Sequence, residues 1–121
     1  RQGMTTFTRE DYEMAAKAVG FDSFDWLAAD NRMNVYTPEG RQSSWNPITD
    51  DGDSLRLSVK LNLIVGTYDT YASVCHTMIL GGESDTPDEE VVWFHSTGGD
   101  PYAATRRAIF RAAIAIGRAM P

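Results

Sequence analysis

Two short segments constrain this chain more than any other feature, because each joins a turn to the start of a helix with strong local chemistry. The first is Trp45-Asn46-Pro47-Ile48-Thr49-Asp50-Asp51-Gly52-Asp53, running into Leu55-Arg56-Leu57-Ser58-Val59-Lys60-Leu61. Thr49 or Asp50 can accept the free N–H groups of a first helical turn, and Asp51 and Asp53 lie where the helix dipole favours negative charge. The second is Asp100-Pro101-Tyr102 followed by an alanine-rich run to Arg118. Asp100 is an N-cap residue and Pro101 suits the first helical position, where its missing N–H costs nothing. The spacing predicts helices over 50–61 and 101–118.

Around these anchors the rest of the chain reads as alternating elements. Thr8 and Asp11 form a capping arrangement, Tyr12, Ala15, Ala16 and Val19 share one helical face, and Gly20 ends the run, predicting a helix over 8–19. Residues 21–32 hold Phe24 and Trp26 without a sustained period and read as a packed connector or short strand. Met33, Val35 and Thr37 alternate with polar neighbours before the Pro38-Glu39-Gly40 turn, giving a strand and the start of a hairpin toward Trp45. Leu63 to Tyr68, Tyr71 to Leu80 and Val91 to Ser96 are rich in β-branched and aromatic residues and read as three sequential antiparallel strands. In the 50–61 helix, Leu55, Val59 and Leu63 form one apolar row and Leu57 and Leu61 a neighbouring one, with Arg56 and Lys60 toward solvent. The expected fold is α+β: a mostly antiparallel sheet of about four strands packed with two or three helices, an α-β-β-β-α core after the N-terminal helix. The helices after Asp50 and Asp100 are expected side by side on the sheet, with the first helix on an edge or the other face.

At 121 residues, 42% of them hydrophobic, the chain is the size of one domain able to bury its own core, expected over 4–121. Arg1-Gln2-Gly3 before Met4 reads as the remnant of a cleaved expression tag. A net charge of −6 disfavours nonspecific nucleic-acid binding. The single cysteine, Cys75, has no internal disulfide partner, and apolar runs fall short of the roughly 20 residues that span a bilayer, so a reducing cytoplasm is the expected compartment.

Each chemistry-bearing group has a bland reading beside the functional one. Asp50, Asp51 and Asp53 invite a hard cation, yet their spacing does not fit a calcium loop and helix capping accounts for them. Cys75, His76 and His95 are the only soft or borderline ligands, and Cys75 and His76 point to opposite faces of a strand, so no metal and no cofactor is expected. If their strands pair, His76 and His95 can face one another. No nucleophile elbow, paired carboxylates or phosphate loop appears. Gly98-Gly99 before the Asp100 cap reads as a turn, since Asp100 would repel a phosphate. Arg106, Arg107 and Arg111, with Arg118, give the last helix a basic side, either a solvated face or an anion and partner site. Glu83, Asp85, Asp88, Glu89 and Glu90 form an acidic loop, a solvated stretch or a partner contact. Trp45 is either an apolar staple at the helix start or an exposed stacking platform, with Asn46 beside it.

The order of Trp45-Asn46-Pro47, Asp50, Asp53 and the 55–61 helix, then Asp100-Pro101 and the 103–113 alanine-rich helix, resembles small phage and prophage proteins, including those termed NinX-like. The resemblance covers residues 45–118 and implies an α-β-α or α/β sandwich and a viral accessory role. It transfers no catalytic residue. The expectation is a nonenzymatic phage-encoded protein that binds a host protein or a small, anionic molecule in the host cytoplasm, inhibiting a host defence system. The sites expected to carry this are Arg106, Arg107, Arg111, Trp45 and Asn46, or the acidic loop. Two rival readings are a small nucleotide-directed enzyme using His76 or His95 as general base, and an assembly homodimer joined at an exposed strand edge.

Overall fold

The computed structural model describes residues 7–21, 23–27, 32–36, 42–76 and 89–120. In chain order they form α1 (Arg9–Val19), β1 (Ser23–Leu27), β2 (Arg32–Tyr36), β3 (Gln42–Trp45), α2 (Asp51–Lys60), β4 (Leu63–Thr67), β5 (Tyr71–His76), β6 (Glu89–Trp93), a short 3₁₀ turn (Phe94–Thr97) and α3 (Pro101–Ala119). The fold is α+β. Rather than one sheet of about four strands, the strands make two three-stranded antiparallel sheets, β1-β2-β3 and β4-β5-β6. The aromatic connector at 21–32 supplies the additional strand β1, because Phe24 and Trp26 alternate in step with Val35 and Met33 of β2. The Asn46–Asp50 turn and α2 then separate β3 from β4, so the strands on either side belong to different ladders. The Pro38-Glu39-Gly40 turn and the 77–80 end of the third predicted strand lie outside the described residues.

Local chemistry sets the helix ends as the sequence implied. Thr8 accepts from the Asp11 N–H while Asp11 accepts from the Thr8 N–H, a reciprocal capping box, and Gly20 closes α1 at φ 83°. Asp50 caps α2 by accepting from the Asp53 N–H, and Asp100 caps α3 by accepting from the N–H groups of Tyr102 and Ala103. The predicted strand end at Phe94–Ser96 is instead the 3₁₀ turn. There Ser96 donates to Trp93 O, Thr97 donates to Phe94 O and Asp100 O, and Gly98 and Gly99 adopt positive φ, so side-chain bonds displace the ladder.

The core is built on α3. Its buried residues Ala104, Ala108, Ile109, Phe110, Ala112, Ala113 and Ile114 meet sheet β4-β5-β6 through Ala72, Val74 and Val92, and α1 through Tyr12, Ala15 and Ala16. The expected pairing of α2 with α3 on the sheet is present, but α1 also runs against α3. Small residues let those backbones approach: a Cβ on Gly117 would overlap the carbonyl oxygen of Met14. Phe110, fully buried, lies 4.8 Å from the Phe7 ring and 4.9 Å from the Tyr12 ring, with Trp45 at 6.5 Å. Phe24, Trp26, Met33, Val35 and Trp45 share the inner face of β1-β2-β3 and complete this cluster.

Only one of the two apolar rows predicted on α2 faces the core. Leu57 is buried with Ser54 and Ser58, whereas Leu55 and Val59 are 63% and 67% exposed. Apolar residues at alternate positions 55, 57, 59 and 61 fall on opposite sides of a helix with 3.6 residues per turn, so one row must face outward. Among the described residues no helix is long and apolar enough to cross a membrane.

Gly117→Ala is expected to lower unfolding stability by about 3 kcal/mol, since rigid backbone must move to admit the methyl group. Urea denaturation followed by far-ultraviolet dichroism measures this, and an unchanged midpoint would contradict the close α1–α3 approach.

Candidate functional site

Trp45 and Asn46 serve as an internal joint. Trp45 is buried and meets Phe21 at 5.4 Å and Tyr12 at 6.5 Å, so it staples α1 and α3 together rather than lying on the helix that follows it. Asn46 Oδ1 accepts from the Tyr12 hydroxyl at 3.2 Å and from the Ile48 N–H at 3.1 Å, and the Asn46 N–H donates to Asp53 at 2.9 Å. One amide thereby ties α1 and α2 to the end of β3. Burial raises the pKa of the Tyr12 hydroxyl above its ordinary value of 10.0.

The arginines of α3 each meet a neighbour inside the protein. Arg106 donates to Ile48 O and to Asp51, both at 2.7 Å, bolting α3 to the start of α2. The Arg107 guanidinium sits 4.9 Å from the centre of the Phe7 ring, and its pKa is lowered by burial first and by Arg111 second. Arg111 pairs with Glu90 of β6 at 3.1 Å, and Arg118 with Asp11 at 3.2 Å. These contacts join α3 to α1, to β6 and to the start of α2. Residues 83–88 of the acidic loop lie outside the described residues.

The acidic start of α2 is likewise occupied by protein partners. Asp50 caps, Asp51 holds Arg106, and Asp53 holds the Asn46 N–H and Arg56. Among the described residues no three His, Cys, Asp or Glu side chains converge on a metal position. His76 and His95 lie at opposite ends of their sheet. His76 pairs with Leu63 at the far end of β5, whereas His95 follows Trp93, which pairs with Tyr71 at its start. Five strand positions, about 17 Å, therefore separate them along the strand. His95 is exposed and stacks on Trp93, with ring centres 6.4 Å apart.

A different region forms an open concavity. Between α2, α3 and β4 runs a groove of about 450 Å³, lined by Leu55, Leu63, Val65, Tyr102 and Ile109, with Ser54 in its wall and Arg106 at its edge. That volume is within the range of small-molecule sites, and although Asp51, Ser58, Thr67 and Thr105 also border it, the surface it exposes is largely apolar. Ser54 is 2% exposed, and its hydroxyl is the single buried side-chain polar atom among those described without a hydrogen-bond partner. Ser58, one turn on, donates to Leu55 O at 2.8 Å. The groove thus exposes apolar walls, an arrangement suited to holding an apolar group, while the Ser54 hydroxyl lies beneath that surface. The signal in the sequence was the surplus of apolar residues on α2, together with serines at two of its inward positions.

Comparison with protein-family models, curated proteins and solved structures returns no match for this chain.

Raising a tyrosine pKa on folding means the folded state holds the proton more tightly. The associated stability is complete below about pH 10 and is lost as pH rises through the raised folded value. Tyr12→Phe, which keeps the ring but drops the bond to Asn46, is expected to cost about 1 kcal/mol at neutral pH. It should also lose stability less steeply than the parent at alkaline pH. Urea titrations across the alkaline range measure both, and an unchanged alkaline slope would remove Tyr12 from this role.

Proposed function

We propose that this protein is a nonenzymatic accessory protein that acts by binding, and that the groove between α2, α3 and β4 receives its target. The observation that carries this reading is the groove itself, a concavity of about 450 Å³ whose exposed surface is almost wholly apolar. The rim supports the same reading: Leu55 and Tyr102 stand 63% and 70% exposed beside the groove, where an apolar ligand would dry them.

The preferred ligand is a small, mostly apolar molecule, or one apolar side chain of a host protein. An anionic group on it would meet Arg106 at the groove edge in competition with Asp51. The resemblance to small phage-encoded proteins makes a host molecule in the infected cytoplasm the natural target, and inhibition of a host defence system the natural consequence. Arg106 and Asp51 then have the task of holding α2 and α3 at the spacing that keeps the groove open.

Native mass spectrometry of protein purified from bacterial cells, compared with the denatured sample, is expected to reveal a retained mass. Leu55→Arg, at an exposed position on the rim, should abolish that adduct while leaving the dichroism spectrum unchanged. Retention by Leu55→Arg at the parent's level would place the ligand elsewhere and reject the groove.

A further inference from the structure

Strand β4 is the end strand of its sheet, and among the described residues only its β5 side is paired. The register with β5, with the Tyr68 N–H donating to Tyr71 O at 2.8 Å, directs the peptide groups of Ile64, Gly66 and Tyr68 toward β5. Those of Leu63, Val65 and Thr67 therefore face outward. Proteins ordinarily blunt such an edge with a lysine, a proline or an inward charge, yet the stretch 61–68 contains none of these.

Apolar side chains border this edge on both faces. Ile64 and Tyr68 are 58% and 54% exposed on the outer face, Val65 is 39% exposed on the helix side, and Leu55 and Val59 continue the strip along α2. These are five of the eight exposed large hydrophobics described. The other sheet differs: its outward face mixes Leu27 with polar groups, with Asp25 accepting from the Tyr36 hydroxyl at 2.7 Å.

We propose that β4 pairs antiparallel with β4 of a second copy of this chain, about a two-fold axis at Val65, joining two sheets into one of six strands. In that register Val65 meets its own counterpart, and Leu63 of each copy meets Thr67 of the other, so the outward peptide groups bond in reciprocal pairs. Ile64 of each copy meets Gly66 of the other. The Tyr68 ring already lies over Gly66, where any Cβ would meet its hydroxyl, so Ile64 lands on an aromatic face.

The α2 helix selects a second copy over an isolated extended peptide. A lone strand would cover Ile64 and Val65 but leave Leu55 and Val59 wet. A second copy brings its own α2 antiparallel to the first and covers all four. The first turn of each α2, whose Asp51 and Asp53 keep their own partners Arg106 and Arg56, then approaches the last turn of the other, with Lys60, and the helix dipoles oppose. The uncharged strand lets two chains of net charge −6 meet without like charges at the seam. Because Leu55 and Val65 also line the groove, the second copy walls its open side, but the pairing itself does not require a ligand there.

Sedimentation equilibrium of ligand-free full chain over a concentration series, in moderate salt, tests the proposal. The expected result is a mass rising from 13.4 kDa to twice that value. Ile64→Lys sets a cation on the edge and should raise the dimer Kd by at least about a hundredfold. Val65→Pro removes one outward N–H without breaking a bond to β5, and should weaken association similarly. Should either variant fail to fold by dichroism, Val59→Glu on the exposed side of α2 provides the same test. A parent chain that stays at the monomer mass at the highest concentration, or a folded Ile64→Lys that dimerises with the parent's affinity, overturns the proposal. Adduct retention by native mass spectrometry is read separately, so loss of the dimer and loss of groove binding are distinguishable.

Discussion

The close passage of α1 over α3 is the constraint on which the other contacts depend. Gly117 admits the Met14 carbonyl where any side chain would collide, and Ala15, Ala16, Ala112 and Ala113 keep the two helices thin around it. That proximity brings Tyr12 onto Phe110, and through the Tyr12 hydroxyl it reaches Asn46. Trp45, the residue before Asn46, carries sheet β1-β2-β3 onto the same aromatic cluster. Small residues on α3 thus set the distance, and large aromatic residues fill the space that the distance leaves.

Electrostatics work mainly as fasteners. Arg106 binds a backbone carbonyl and a carboxylate at the start of α2, Arg111 reaches β6, and Arg118 reaches the first turn of α1. The exposed pairs contribute little stability individually. Arg106 differs because its side chain is only 18% exposed and its two bonds are charge-assisted. The side of α3 that looks like a ligand platform in the sequence is therefore also the side that meets α2, β6 and α1.

The two sheets divide the work. Sheet β1-β2-β3 is apolar toward the core, and its other face mixes Asp25, Asn34 and Ser44 with Leu27 and Tyr36. Sheet β4-β5-β6 is apolar toward α3 and also carries Ile64, Tyr68, Tyr71 and Trp93 on its other face, where Tyr68 and Tyr71 stack at 4.8 Å and Tyr71 and Trp93 lie 5.0 Å apart. Among the described residues, exposed apolar surface is concentrated around β4 and α2, beside the groove, where both the proposed ligand and the proposed second copy would sit.

The sequence by itself determined the elements whose ends rest on local chemistry. The Thr8–Asp11 box, Gly20, the Asp50 cap and the Asp100-Pro101 start could be read directly, because each bonds groups within four residues of one another. It also determined the α+β class through its alternation of periods. What only the tertiary structure decided was which way equivalent side chains face. Leu55 and Leu57 are chemically alike, and nothing local says that one is buried and the other exposed; α3 chooses by occupying one side of α2. Likewise the division into two sheets and the pairing of each arginine depend on partners as far as 107 positions away in the chain, as in the bond from Arg118 to Asp11. Distances of that kind are set by packing, and a linear pattern carries no record of them.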